Sequence, residues 1–201
     1  MPKISDEKRA ARRAQILEAA WTCFQKDGLH ATTMDHIIRA SGLSAGAVYS
    51  YYPSKDDLIL AAVATSLSGL SAIVAPLLHA EPPMSPSQLV GEITEAIDRF
   101  ASRDGFDLKR IALLGWSEAQ RNEQLRATMK SFYIDFRCDL AGALKRWRDD
   151  RTGVEYDVEA DMAAALLSLV LGYVVQSAVI GDVSPQGMVD GLAQLERAAV
   201  E

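Results

Sequence analysis

The sequence predicts an all-α protein, and three observations support this fold class. Apolar residues recur at steps of three or four positions along most of the chain, which is the spacing of one helix face. No segment alternates apolar and polar residues as a half-buried strand does. Ser, Thr, Gly and Pro fall where the periodic segments begin and end, as helix caps do. We therefore expect a series of helices along the 201 residues.

The most specific part of the sequence is a pair of short helices that are predicted to meet at a glycine. Thr32 or Thr33 can act as an N-cap, because a hydroxyl there accepts a hydrogen bond from an otherwise unpaired amide. Gly42 can take the left-handed conformation that ends a helix, and Ser44 is positioned to cap the next one. Two helices joined by so short a turn predict a helix-turn-helix, a unit with which many proteins read DNA.

A third helix is predicted to follow directly. Pro53 ends the second short helix, because the residue before a proline is biased away from helical angles. Ser54 followed by Asp57 resembles a capping box, so another helix should begin just after Ser54. With the helix upstream of them, the two short helices predict that residues 1–55 form an N-terminal three-helix helix-turn-helix DNA-binding domain. Residues 56–201 would form a second, helical domain.

The second short helix and its surroundings have residues that suit DNA contact. Gly46 and the alanines beside it let the backbone approach base edges, and an alanine methyl can touch a thymine methyl in the major groove. Hydroxyl and ammonium groups can donate to phosphate oxygens. The predicted DNA-contact residues are Thr33, Ser44, Ala45, Gly46, Ala47, Tyr49, Ser50, Tyr51 and Lys55.

The tyrosines in this region have an alternative role, which is to pack the small core of the helical hairpin. We expect Val48 and Tyr52 to lie in that core. Tyr49 and Tyr51 are expected to face the nucleic acid.

The segment GLSAGAVYSYYPSKDDL resembles the signature of the TetR (tetracycline-repressor) family of bacterial regulators. That family shows Gly, an aliphatic residue and Ser, then a second Gly, an aliphatic-Tyr-x-Tyr/His-Phe run and a Lys-Asp/Glu-x-Leu helix start. The matching positions here are Gly42, Leu43, Ser44, Gly46, Val48, Tyr49, Tyr51, Lys55, Asp57 and Leu58. Further agreement upstream is found at Ile16, Ala19, Ala20, Phe24, Gly28 and Thr33. The resemblance covers about the first quarter of the chain.

Three positions depart from the family pattern. Ala45 stands where many members carry a basic or polar residue, and Ala47 where Thr, Ser or Asn is common. Tyr52 replaces the usual Phe. The alanines predict a reading of DNA through close backbone approach, thymine methyls and DNA shape more than through bidentate side chains.

The resemblance also implies an arrangement for the rest of the protein. It implies a homodimer in which the last two long helices form a four-helix bundle with a second subunit. It implies a small-molecule site in the C-terminal domain, and a helix beginning at Lys55 that links this site to the DNA-binding domain.

Charge is divided unevenly along the chain. Residues 1–55 contain eight Lys or Arg and five Asp or Glu, a net charge of +3, whereas the remainder carries −9. Four of the basic residues form pairs four positions apart, Lys8 with Arg12 and Arg9 with Arg13. Cations near a helix start oppose the helix dipole, so attraction to phosphate explains them better than helix stability does. The alternative is a solvated face that neighbouring acidic residues partly neutralise.

The second domain reads as further helices. A helix from about Lys55 to Ala75 is expected to end or kink at Pro76. Residues 162–181 lack charge and are long enough to span a membrane, but acidic flanks and the internal Gln176 argue against that reading. We expect this helix to be buried against a partner, and together with the last helix, which begins at Pro185, to form the homodimer interface.

A ligand site in the second domain would be apolar with a few polar groups. The candidate ligand-binding residues are Trp116, Met129, Tyr133, Phe136, Tyr173 and Gln176. The alternative for each of them is ordinary core packing, since a stripe of large apolar residues at helical spacing forms a core in most proteins.

Several classes of function find no support in the sequence. The two cysteines are far apart and the histidines are isolated, so we predict no metal site and no cofactor. Glu118 with Glu123, and Asp149 with Asp150, are the available carboxylate pairs, and no nucleophile–base motif accompanies them. An enzyme is therefore not predicted. The N-terminus lacks an apolar segment after its charges, which argues against a signal peptide and for a cytoplasmic, reducing setting.

These observations predict a cytoplasmic, ligand-responsive transcriptional regulator without a membrane partner. We predict a repressor that binds double-stranded palindromic operator DNA as a homodimer and is released by a small-molecule effector. Two heads related by a two-fold axis require half-sites about 34–36 Å apart, or a multiple of that distance. The alternative is a ligand-independent helix-turn-helix DNA-binding protein or an activator. The acidic second domain argues against a nucleoid-type protein, in which basic charge would extend throughout.

Overall fold

The computed structural model describes residues 6–101, 108–152 and 159–198, and within these ranges the regular elements are all helices. The predicted all-α fold class is thereby confirmed. The helices are α1 (Asp6–Ala31), α2 (Met34–Ser41), α3 (Ala45–Tyr51), α4 (Lys55–Leu78), α5 (Pro86–Ala101), α6 (Leu108–Ala119), α7 (Glu123–Thr152), α8 (Glu159–Val179) and α9 (Pro185–Ala198).

The starts and ends of the short helices follow local rules. Thr33, Ser44 and Ser54 precede α2, α3 and α4, and each hydroxyl accepts a hydrogen bond from the backbone amide three residues on. Gly42 ends α2 with a φ of 67°, and its amide donates to the Arg39 carbonyl. A side chain at that φ would be strained, so glycine permits the tight turn between α2 and α3.

Helix α4 connects two hydrophobic clusters. Leu58 and Val63, in its first half, belong to a cluster shared with α1, α2 and α3. Val74 and Leu78, in its second half, belong to a cluster shared with α5, α7 and α8. The first cluster also includes residues of α6 and α7, so it crosses the predicted domain boundary at residue 55. The division into 1–55 and 56–201 stays a prediction.

Helix α4 is longer than the sequence predicts, because it continues through Pro76 to Leu78. A proline so close to the end removes one backbone hydrogen bond without interrupting a long helix. Two carbonyls near this end of the helix have side-chain partners. The Arg146 guanidinium donates to the Leu78 carbonyl, and a ring nitrogen of His79 lies 2.9 Å from the Ala75 carbonyl oxygen.

A polar network links α5, α6 and α8 in the second half of the chain. The Lys109 ammonium lies 2.6 Å from an Asp98 carboxylate oxygen and donates to the Ser177 hydroxyl at 2.6 Å. The Tyr173 hydroxyl donates to the other Asp98 oxygen at 2.7 Å. Burial, followed by the hydrogen bond to Asp98 and the negative charge of that carboxylate, raises the pKa of the Tyr173 hydroxyl.

Helices α4 and α8 are each long and apolar enough to cross a membrane by length and composition alone. Both nevertheless pack against other helices of the fold. Val63 and Val74 of α4, and Ala163 and Val174 of α8, are buried in the two clusters. Core helices of helical domains pass the same test of length and apolar composition.

Candidate nucleic-acid interface

Helix α3 has an inward and an outward face. Val48 is fully buried and Tyr52, directly after the helix, is 8% exposed, as the sequence predicts for these two residues. Ala47 is half-buried. The exposed residues of α3 are Ala45, Gly46, Tyr49 and Ser50. This outward face therefore combines a phenol, a hydroxyl and two very small residues.

The hydroxyl groups beside this face are held by the backbone. Thr33 accepts from the His36 amide and Ser44 from the Ala47 amide, both at 3.3 Å. A hydroxyl that accepts in this way keeps its own proton for another acceptor, such as a phosphate oxygen. Ser50 differs, because its hydroxyl donates to the Ala47 carbonyl at 2.7 Å and so offers lone pairs outward.

Lys55 was predicted to contact a phosphate, and in this structure its ammonium group bonds to backbone carbonyls. Its ammonium group donates to the carbonyl oxygens of Leu29, His30 and Thr32 at 2.9, 3.3 and 3.1 Å. A lysine has three N–H donors, so all of them are used. In this structure Lys55 joins the start of α4 to the end of α1. Because its three donors are used in this way, the ammonium group is not free to contact a phosphate in this structure.

Tyr51 and Tyr49 differ in exposure, and contact of Tyr51 with DNA stays a prediction. Tyr51 is half-buried and packs against the first hydrophobic cluster, because it follows Val48 by three residues and lies on a neighbouring part of the helix face. Tyr49, by contrast, is 45% exposed. Of these two tyrosines, Tyr49 is the one placed for contact with a nucleic acid.

Two further polar contacts support the turn. Thr32 is fully buried, and its hydroxyl lies 2.7 Å from the carbonyl oxygen of Gly28, four residues before it, and 3.1 Å from that of Cys23. Gln15 donates from its side-chain amide to the Ser41 carbonyl at 2.8 Å. The contacts to Cys23 and Ser41 span 9 and 26 positions, so no spacing of residue types could reveal them.

The predicted DNA-binding domain, residues 1–55, is called the head below. It has exposed basic residues at the start of α1. Lys8, Arg9, Arg12 and Arg13 all lie in the exposed N-terminal part of the helix. Arg12 donates to the Gln15 side-chain oxygen at 2.8 Å. The same Gln15 holds the turn after α2, so this part of α1 and the helix-turn-helix form a connected unit.

The six predicted ligand-binding residues do not line one cavity among the described residues. Met129 is 5% exposed within the first cluster, and Gln176 is exposed. Trp116 donates from its indole nitrogen to the Tyr133 hydroxyl at 2.7 Å, and burial raises the pKa of Tyr133. Tyr173 is fully buried and belongs to the polar network of Asp98.

Phe136 is the predicted ligand-binding residue that borders a cavity. The cavity has a volume of about 100 Å³ and lies between α4 and α7. Its lining residues are Ser71, Val74, Ala75, Leu78, Phe132, Asp135, Phe136 and Asp139. The rings of Phe132 and Phe136 are stacked with their centroids 6.1 Å apart. Within the described residues, no group of three or more His, Cys, Asp or Glu is placed to hold a metal ion.

Comparison with known proteins agrees with this architecture. A sequence model of the bacterial regulatory proteins of the tetR family matches residues 16–62, which contain most of α1, all of α2 and α3, and the start of α4. The HTH-type transcriptional regulator YfiR of Bacillus subtilis is 33% identical over 141 residues, which is 69% of this chain and 64% of the relative. This chain thus spans just under two thirds of that relative's length.

Two further proteins extend the likeness over nearly the whole chain. The HTH-type transcriptional repressor Rv1474c of Mycobacterium tuberculosis is 28% identical over 174 residues, covering 85% of this chain and 84% of the relative. A transcriptional regulator from Saccharomonospora viridis, solved in complex with choline, superimposes with a TM-score of 0.74 at 21% identity. That superposition covers 92% of this chain and 95% of the other, and it shows a shared fold. Residues 16–62 therefore match the tetR family of bacterial regulatory proteins, and the relatives that the chain resembles are HTH-type regulators of transcription.

Proposed function

We propose that this regulator is a cytoplasmic repressor that binds a palindromic operator as a homodimer and is released by a small molecule. The observation that carries the proposal is the outward face of α3, where small residues and Tyr49 are exposed while the helix is capped and packed from behind. Repression is the direction to test first, because the relative Rv1474c is a repressor.

DNA recognition would proceed through the N-terminal half of α3. Ala45 and Gly46 have side chains too small to separate the backbone from the base edges, and a Cβ added at Gly46 would meet nothing within 4 Å in the free protein. That open space is available to a base or a sugar. The hydroxyls of Thr33, Ser44 and Tyr49 would donate to phosphates around it, which positions the helix without reading sequence.

Dimerisation would use α8 and α9. Val175, Val179 and Ile180 at the end of α8, and Leu195 on α9, are the exposed large apolar residues of this part of the chain, and Val179 and Leu195 are 70% and 69% exposed. Exposed apolar side chains on these two consecutive helices are candidates for an interaction surface. A two-fold pairing through this surface would present two α3 helices to successive major grooves.

The effector would bind behind the head, in contact with α4. The cavity between α4 and α7 has two phenyl rings and two carboxylates, which is chemistry that suits a small organic cation. Choline, which the Saccharomonospora viridis regulator holds, is the first compound to test. Because the cavity borders α4, a cation there could favour one position of this helix, and release follows only from unequal affinity for the two positions.

The decisive experiment measures binding of the purified protein to DNA from upstream of its own gene and to a scrambled duplex. Fluorescence anisotropy at moderate salt should show preference for the upstream DNA, and the absence of any preference would contradict the operator proposal. Tyr49→Phe should weaken binding to all duplexes by roughly twofold to tenfold, which is the worth of one hydrogen bond. Tyr133→Phe, a matched change in the second domain, should leave DNA affinity unchanged.

The same assay separates the alternatives. If choline and related ammonium compounds neither shift the melting temperature nor change DNA affinity, the cation assignment is wrong. If no compound of a broader metabolite library does so, a ligand-independent regulator is favoured. A reporter that rises with added protein would indicate an activator. A monomeric sedimentation profile at micromolar concentration would contradict the two-fold arrangement.

A further inference from the structure

A large cleft lies between α1 and α4, where the head meets the second domain. Its volume is about 1050 Å³, at the upper end of the range for small-molecule sites. One wall is the face of α1 from Asp6 to Gln25, and the other is the segment of α4 from Ala61 to Ser66. Tyr52 lines the cleft from the head, and Phe100 of α5 lines it from the second domain.

The cleft exists because small side chains face each other across it. Ala10 and Ala14 on α1 oppose Ala61 and Ala64 on α4, and none of them can fill the space between two helices. The cleft is open to solvent, and the α1 residues at its head end are exposed. It offers a ready apolar surface without any rearrangement of the head.

The floor of the cleft is apolar and aromatic. Leu17 and Trp21 lie along the middle of the α1 face, and Phe100 packs beside them from α5. Gly69 of α4 makes room for this ring, since a Cβ there would lie 2.8 Å from Phe100. The apolar part of the cleft therefore runs from the middle of α1 toward the second domain.

One flank of the cleft is basic. Arg9 and Arg13 are four residues apart and share a helix flank, and among the described residues neither guanidinium has a hydrogen bond or ion pair. The charge of Arg13 acts on the buried phenol of Tyr52, which places these groups near one another at the head end. Asp6 lies one turn before Arg9, so the two arginines and this carboxylate give the flank a net charge of +1. Glu18 lies on the opposite flank with Thr22 and Gln25.

We propose that this cleft binds an amphipathic carboxylate, with its acid group at Arg9, Arg13 and Tyr52 and its hydrocarbon chain over Leu17 and Trp21. The rise of α1 from Arg13 to Trp21 is about 12 Å, which suits a medium-length alkyl chain. Arginine binds carboxylates in a bidentate manner, and the phenol can donate a further hydrogen bond. The site is separate from the cavity between α4 and α7, and it calls for a ligand of opposite charge.

Occupation of the cleft would act on the head in two ways. The ligand would neutralise arginines that otherwise attract DNA phosphates, and it would wedge between α1 and α4 at the junction of head and second domain. This consequence rests on the proposed DNA-binding function, whereas the binding itself does not. Linkage requires that the carboxylate and DNA weaken each other by the same factor.

The test is calorimetric titration with dodecanoate in the absence of DNA, so that its failure is independent of the operator proposal. Dodecanoate should bind, and dodecyltrimethylammonium, with the same chain and opposite charge, should bind at least tenfold more weakly. Arg13→Gln should reduce dodecanoate affinity about tenfold, as expected for loss of a charge-assisted hydrogen bond. Arg12→Gln removes the same charge from a residue outside the lining and should change affinity less than twofold.

A second pair of variants tests the place of the hydrocarbon chain. Ala64→Phe should abolish binding by filling the cleft, and circular dichroism checks that this variant is folded. A bromine-substituted dodecanoate should quench tryptophan fluorescence in the natural protein and in Trp147→Phe, but lose most of that quenching in Trp21→Phe. Equal affinity for the two amphiphiles, binding that survives Ala64→Phe, or quenching that persists in Trp21→Phe would each overturn the proposal.

Discussion

The head and the second domain differ in where their polar groups find partners. In α2, α3 and α4 the hydroxyls of Thr33, Ser44 and Ser54 each bond to an amide three residues away. In the second domain Lys109 reaches Ser177 across 68 positions and Tyr173 reaches Asp98 across 75. These three helix caps of the head are thus local and leave one face of α3 exposed, whereas the Asp98 network of the second domain holds separate helices together.

Lys55 is the exception that connects the two regions, and its removal should have the largest effect. Lys55→Met leaves three carbonyl oxygens without their charged donor, and we expect the free energy of unfolding to fall by about 2–3 kcal/mol. Urea denaturation measures this loss. Lys130→Met, at an exposed lysine of α7, should stay within about 0.5 kcal/mol. If Lys55→Met leaves stability unchanged and greatly lowers DNA affinity, Lys55 acts at the DNA interface and not as a structural link.

The polar network of the second domain should be sensitive to the loss of a single partner. Lys109→Met leaves the Asp98 carboxylate without its cation, and we expect a loss of about 2 kcal/mol, less than for a fully buried pair because the Asp98 side chain is 36% exposed. The double variant Lys109→Met with Asp98→Asn should recover at least half of this lost stability, because the unpaired negative charge of Asp98 is then removed. Breaking the surface pair Arg126–Glu123 with Arg126→Met should cost less than about 0.5 kcal/mol. Equal losses at the two sites would show that the network stabilises the second domain no more than a surface ion pair does.

The same network predicts how stability depends on alkaline pH. The pKa of Tyr173 is raised in the folded protein, so above the ordinary tyrosine pKa of about 10 the unfolded chain loses this proton first. Stability is then constant below about pH 10 and declines above it by about 1.4 kcal/mol per pH unit for this group. Urea titrations of Tyr173→Phe should show a shallower decline than the natural protein. Tyr49→Phe, at an exposed phenol, should retain the full slope.

Gly46 tests the local character of the head, and its effect is the smallest. Gly46→Ala replaces a helical glycine where an added Cβ meets nothing within 4 Å, so the protein should become more stable by about 0.5–1 kcal/mol. If base edges approach this position, DNA affinity should fall by roughly fivefold, about 1 kcal/mol. Gly142→Ala in α7 is the matched control, because its nearest neighbour is the flexible Arg146 side chain at 3.7 Å. It should gain stability without changing DNA affinity.

The accuracy of the sequence predictions follows the same division. Caps, turns and the inward residues of α3 depend on neighbours within a few positions, and the structure confirms Ser44, Gly42 and Val48 in those roles. The half-burial of Tyr51 was not predicted, because the cluster against which it packs is assembled from other helices. The candidate pocket residues were chosen by side-chain type alone, and the structure disperses them among a buried core, a hydrogen-bonded pair and a polar network.

The sequence by itself determined the helical fold class, the helix-turn-helix and its resemblance to the tetR family, because helix caps and a left-handed glycine act over three or four residues. Only the tertiary structure decided that Lys55 binds the end of α1, that Asp98 joins three helices, and that α1 and α4 enclose a large cleft. Each of these features depends on the separation and angle of helices that are distant in the chain. Those quantities arise from the packing of the whole core, and no local pattern of residues records them.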